Sequence, residues 1–240
     1  MTATPDHTEA VSPRRPVWRR VTGSAWFHLF AAFVLVGLLL SFVAKPFWVP
    51  SSSMADTLEP GDRILVNRLA YLGDGPRTGD VVVFDADDAW GAGPPTPTDP
   101  VRGALRWLGA VTGFGPSSEH TLVKRVIAGP GQTARCCSDA GAVVVDGAEL
   151  DEPYITNDFP FDPGVLDCTT SPRSARCFDE VIVPDDEYLM LGDNRSGSAD
   201  SAFSCRTEGS TPACWRWAIR DGVIGKAVAI LWPIERWNGL

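Results

Sequence analysis

Lysine and histidine are scarce in this 240-residue chain: three lysines stand against 18 arginines, and the three histidines are His7, His28 and His120. Only His120 lies beyond the one long apolar run, so a Ser-His-Asp hydrolase would rest on that residue alone. There is no Cys-x-x-Cys, no pair of histidines at ligand spacing and no His-Glu-x-x-His, which removes the common zinc sites and the metalloprotease helix. No glycine-rich loop ends in Lys-Ser or Lys-Thr, so the usual phosphate cradle is missing too. Internal repeats are absent. A basic surface is also lacking, since residues 45–240 carry 17 cationic against 28 acidic side chains. That balance repels phosphate backbones and argues against nucleic acid as a partner. Finally, 23 glycines and 20 prolines leave little room for long helices, because both residues break helices and bound short strands. With 44% hydrophobic residues the chain is globular, and a mostly β, turn-rich fold is expected.

What is present begins with Ala25 to Ala44, 20 residues without a formal charge. As a helix they reach about 30 Å, the thickness of a bilayer's hydrocarbon core. Arg14, Arg15, Arg19 and Arg20 precede this run, and only Lys45 follows it closely. The positive-inside tendency therefore predicts a cytoplasmic basic tail over 1–23, a transmembrane helix over 24–44, and an extracytoplasmic domain over 45–240. A cleaved secretion signal fits less well: its apolar core is shorter and ends in small residues, where this chain has Phe42. All six cysteines lie beyond the apolar run, which agrees with an oxidising compartment. Cys168 with Cys177 and Cys205 with Cys214 are each nine positions apart and are expected to pair; the adjacent Cys136 and Cys137 are left open.

Lys45 to Pro50 reads as extended, because each of its prolines disfavours helix in the residue before it. Strands are expected over Asp62 to Asn67, Asp80 to Phe84, Thr121 to Ile127, Val181 to Val183, Tyr188 to Leu191 and Val223 to Leu231. Ala142 to Val145 leads into an Asp146-Gly147 hairpin turn. Residues 85–120 read as an inserted, solvated excursion, with a short amphipathic helix around Arg102 to Val111.

Lys124 stands in TLVKRVIAGPG, where strand alternation turns it to the same face as Leu122 and Val126. In apolar surroundings a lysine loses its proton more readily and can serve as a general base, a task closed to arginine near neutral pH. Alone, the segment reads more readily as a surface lysine with its stem lying on the sheet. The cluster Ser51, Ser52 and Ser53 offers hydroxyls that need a base to become nucleophilic, though three serines after a proline are also an ordinary linker. Gly192 to Ser201 forms a polar loop with further hydroxyls and carboxylates.

In chain order, the apolar segment, PSSSMADTLEPGDRILVNRLAY, RTGDVVVF, TLVKRVIAGPG and GDNRSGSADS resemble the bacterial type I signal peptidases (leader peptidases), which are membrane-anchored Ser/Lys endoproteases. VIGKAVAILWPIERW is similar to the family's closing strand. The resemblance implies a signal-peptidase-like β-sheet catalytic domain after a single N-terminal transmembrane helix, working without metal or other cofactor. It implies Ser53 as nucleophile, Lys124 as general base, and the Ser51 hydroxyl with the Ser53 backbone N–H as the oxyanion hole. Ser198 would orient the lysine amine and Asp200 would brace its loop. Phe47, Val49, Leu58 and Val123 would wall shallow pockets suited to the Ala-x-Ala ends of signal peptides. The implied partners are secretory preproteins, the lipid bilayer and the protein-export translocon, at the outer face of the cell membrane.

Two residues depart from the family pattern. Asp56 replaces a common proline and brings a negative charge near the site, where it would favour protonated Lys124. Ala202 stands where an arginine often follows, so Asp200 needs Arg125, Arg195 or Arg206 as its partner. A disulfide-stapled membrane protein that only binds exported chains would share the anchor and the cysteines, and Ser53 with Lys124 argues for the enzyme.

Overall fold

The computed structural model describes residues 22–91, 99–101, 103, 120–207 and 209–240, with 39–41 by their backbone alone. The basic tail over 1–21 and most of the helix expected around Arg102 to Val111 lie outside the described residues. Contacts divide the chain into two units, Met1–Ser41 and Phe42–Leu240.

Helix α1 (Ala25–Phe42) opens where the Ser24 carbonyl accepts from the N–H groups of Phe27 and His28, at 3.0 and 3.2 Å. Its large side chains stay uncovered, Trp26 at 79% and Phe33 at 77% exposure. Among the described residues no helix is long and apolar enough to cross a membrane; α1 is the helix that forms within the expected span over 24–44. The helix has 18 residues, about 27 Å at 1.5 Å each. It ends at Phe42 because the chain turns extended at Ala44, ahead of Pro46.

The second unit is built of antiparallel strands. In chain order they are β1 (Ala44–Trp48), β2 (Arg63–Asn67), β3 (Val81–Asp85), β4 (Thr121–Ala128), β5 (Thr133–Cys136) and β6 (Val143–Val145). There follow β7 (Ala148–Glu149), β8 (Phe178–Ile182), β9 (Glu187–Leu191), β10 (Ala218–Ile219), β11 (Val223–Trp232) and β12 (Asn238–Gly239). The larger sheet has eight strands in the order β1-β2-β11-β3-β4-β9-β10, with β12 paired to β11; the smaller runs β7-β6-β5-β8. The β6–β7 hairpin turns on Asp146 and Gly147 at φ 51° and 81°. Two successive positive φ values match the right-handed strand twist, which is why Asp-Gly suits this turn.

Alternation along β3 splits its side chains between two apolar clusters. Val81 and Val83 join Phe47, Val49, Met54, Leu58, Ile64 and Val66, whereas Val82 and Phe84 join Trp90, Val126, Tyr188 and Met190. Trp90 lies in the stretch expected to be solvated, yet it is buried, 5.0 Å edge-to-face from Phe84, with Nε1 donating to the Trp217 carbonyl at 3.0 Å. A third cluster joins the two sheets through Ile127, Ala134, Val143, Phe178 and Leu189. Disulfides link Cys136–Cys137, Cys168–Cys177 and Cys205–Cys214.

Candidate active site

Ser53 lies in the loop between β1 and β2. The neck of that loop is closed by the Val49 N–H on the Asp62 carbonyl and the Gly61 N–H on the Val49 carbonyl, both at 2.9 Å. Met54 and Leu58 fasten it from below by entering the apolar core. Arg236 fastens its C-terminal side, donating from Nε to both carboxylate oxygens of Asp62 at 3.2 Å and from Nη2 to the Thr57 carbonyl at 3.4 Å. On the other side, β9 runs out into Gly192 and the polar loop. There the Asn194 backbone N–H donates to the Ser53 carbonyl at 3.2 Å, and Asn194 Nδ2 to the Ser52 carbonyl at 2.9 Å. A Cβ on Gly192 would collide with the Ser198 side chain and the Ser53 carbonyl, so only glycine admits this approach.

Lys124 projects from the middle of β4, opposite Val82 of β3, and is 3% exposed. Its amine is 2.5 Å from Ser53 Oγ and 3.1 Å from the Val123 carbonyl. Ser51 Oγ is 3.4 Å from Ser53 Oγ. Burial pulls the Lys124 pKa from 10.5 down to about 8, against the opposing charges of Asp200 and Asp193. Each of those carboxylates has its own guanidinium. Arg125 grips Asp193 with Nε at 2.9 Å and Nη2 at 2.6 Å, lies over the Tyr154 ring at 3.8 Å, and shares Asp193 with the Thr57 hydroxyl at 2.6 Å. Arg206 grips Asp200 at 2.8 and 3.4 Å. Arg195 instead pairs with Glu152 at 2.5 Å. An amine whose pKa burial has lowered, set against a hydroxyl, is the arrangement that lets a lysine deprotonate a serine.

The family described as signal peptidase, peptidase S26, matches residues 23–232. The chain belongs to this family. It is a signal peptidase, a serine endopeptidase. It is 39% identical over 222 residues to the signal peptidase I of Mycobacterium tuberculosis strain H37Rv, covering 86% of this chain and 71% of that one. It is 35% identical over 245 residues to a probable signal peptidase I of Mycobacterium leprae, covering 90% and 78%. A signal peptidase IB from Staphylococcus aureus strain N315 is 27% identical over 213 residues, covering 86% and 87%.

The site residues implied by the signal peptidase resemblance fall into three groups. Ser51, Ser53 and Lys124 come together, and Val49 and Val123 join them in lining a cleft of about 20 Å³ with Pro50, Met54, Thr121 and Leu122. Phe47 and Leu58 do not reach its wall; as apolar side chains on segments folded inward they are buried in the cluster behind it. Ser198 is buried nearby, but among the described residues its hydroxyl has no hydrogen-bond partner, so the expected bond to the lysine amine is not formed. Asp200 braces its loop through the N–H groups of Gly192 at 3.4 Å and Ala202 at 3.2 Å. Of the three arginines considered for it, the structure selects Arg206. Asp56 is exposed, with its N–H on Glu59 at 2.9 Å, and is not among the carboxylates that act on Lys124.

Gly192, Asp193 and Asn194 were legible only as a polar turn, although a glycine directly after a strand was a signal of close approach. The Cys137, Cys168 and Cys177 sulfurs lie within 4.8 Å of one another, but all three are in disulfides and offer no thiolate to a metal.

Proposed function

We propose that this signal peptidase removes N-terminal signal peptides from exported preproteins after an Ala-x-Ala-like site, using a Ser53/Lys124 dyad at the outer face of the cytoplasmic membrane. The observation that carries this reading is the 2.5 Å contact between the buried Lys124 amine and Ser53 Oγ. In this mechanism the neutral amine takes the Ser53 proton as Oγ attacks the scissile carbonyl, then returns it to the leaving amine. Water, activated by the same lysine, releases the acyl group from Ser53. The Ser51 hydroxyl and the Ser53 N–H receive the developing oxyanion; among the described residues that N–H donates to no backbone carbonyl. The small cleft between Val49 and Val123 suits a methyl side chain better than a bulky one, in keeping with alanine at the cut.

The uncovered apolar surface of α1 supports attachment to the bilayer. A helix apolar on every side finds no solvated face in water. Tethering enzyme and substrate at one depth turns the encounter into a local search and orients the scissile bond. The basic residues before α1 favour a cytoplasmic N-terminus.

The test uses the full chain in detergent with a preprotein carrying an Ala-x-Ala end. The wild type yields a product whose N-terminal sequence begins directly after that alanine. Ser53→Ala and Lys124→Ala chains that keep the folded fluorescence leave the preprotein intact, and undiminished cleavage by either refutes the dyad. Membrane extraction at high pH, with protease access from the outer side, tests the attachment and its orientation.

A further inference from the structure

The guanidinium that pairs with Asp200, unlike the one that pairs with Asp193, is not carried by a strand. Arg125, its counterpart on Asp193, projects from β4 next to Lys124 and is fixed by the sheet. Arg206 lies instead in the turn after Asp200, where the N–H groups of Cys205 and Arg206 both donate to the Ala202 carbonyl, at 2.9 and 3.1 Å. The residue before it, Cys205, is buried and bonded to Cys214. The Cys205 carbonyl also accepts from Ser210 Oγ at 3.1 Å and Arg173 Nη2 at 3.5 Å. The guanidinium is sandwiched between Asp200 and the Phe159 ring, 5.1 Å from the ring centre, and its Nε is buried with no partner among the described residues. A charged group held where one donor goes unsatisfied is positioned by its surroundings, not by its own comfort.

Resting on the dyad reading above, we propose that Arg206, held by the loop closed through Cys205–Cys214, is a positioning residue that locks the Asp200 carboxylate in its pair and away from the Lys124 amine. The charged groups around that amine are Asp193, engaged by Arg125 and Thr57, and Asp200, engaged by Arg206; the nearby Lys226 pairs with Asp80 on the adjoining strands at 2.6 Å. Removing Arg206 leaves Asp200 with backbone N–H groups only, and its free charge then holds a proton on Lys124. The disulfide thereby becomes part of the catalytic apparatus without touching substrate.

The experiment records kcat/KM against pH, from 6 to 10.5, for the wild type, Ser53→Ala, Arg206→Met, Arg206→Lys and the Cys205→Ser/Cys214→Ser pair, each checked for folding by tryptophan fluorescence. In the Arg206→Met chain the midpoint moves up by about one unit, which is about a tenfold loss at pH 7 that recovers at high pH. The cysteine pair variant shifts in the same direction, and Arg206→Lys brings the midpoint back toward the wild type. A midpoint that stays put in Arg206→Met overturns the proposal, whether the rate is unchanged or lowered equally at every pH. If Arg206→Met does not fold, the cysteine pair variant decides by the same criterion. Wild-type cleavage that does not depend on Ser53 refutes the dyad reading and this proposal with it, whereas Ser53-dependent cleavage with an unmoved midpoint refutes this proposal alone.

Discussion

Replacing Lys124 with methionine keeps an unbranched side chain one atom shorter and removes its titration from a buried setting. In the folded chain burial sets the Lys124 pKa at about 8, against an ordinary 10.5 in the unfolded chain. Below pH 8 the amine is protonated in both states, and the folded state bears the full cost of burying the charge. As pH rises from 8 toward 10.5 the unfolded chain still holds the proton that the folded chain has released, so the wild type gains stability through that window. At 1.36 kcal/mol per unit the whole effect is about 3 kcal/mol, and about 2.5 kcal/mol of it is recovered between pH 7 and pH 10. The Lys124→Met chain lacks this recovery. Its stability advantage over the wild type should therefore shrink by about 2.5 kcal/mol over the same interval, whatever constant offset the new side chain introduces. Urea unfolding followed by tryptophan fluorescence, in one detergent at pH 7, 8, 9 and 10, measures this difference, and the other titrating groups cancel between the two chains. A difference that does not change with pH refutes the claim that Lys124 is held in an environment hostile to its charge.

Three further outcomes follow from the geometry. Ser51→Ala removes one donor to the developing oxyanion and should lower kcat by about 100- to 1,000-fold with little change in stability; a kcat within threefold of wild type excludes Ser51 from that role. Gly192→Ala forces a methyl group onto the Ser198 side chain and the Ser53 carbonyl, so it should abolish cleavage and lower the thermal transition, and a fully active alanine variant refutes the close approach. Opening Cys168–Cys177 with paired serines should lower unfolding stability by about 2–3 kcal/mol while the pH midpoint of activity stays unchanged.

The strands that the sequence announced are those whose own pattern suffices. β2, β3, β4, β9 and β11 are β-branched or alternating, and each lies within a residue or two of its expected bounds. β5, β10 and β12 are four residues or fewer, and tertiary pairing creates them with little local preference to announce them. Ser53 and Lys124 were singled out by the resemblance of their segments to the signal peptidases; alone, a serine cluster and a strand lysine read as readily as a linker and a surface residue. Their supports were not legible: Arg125, Arg195 and Arg206 are equivalent as letters, and only the folded path decides that one meets Asp193, one Glu152 and one Asp200. Phe47 and Leu58 lie in the core cluster and not along the small cleft, which the sequence could not announce, since an apolar side chain beside a site can face the ligand or the core.

The clasp between Arg236 and the Ser53 loop has a bearing on biosynthesis. Asp62 and the Thr57 carbonyl receive that guanidinium from a position more than 170 residues downstream. A nascent polypeptide still lacking that stretch holds its serine in an unfastened loop. The Ser53 loop is thus fully fastened only once the turn after β11 has been made and has folded back onto it.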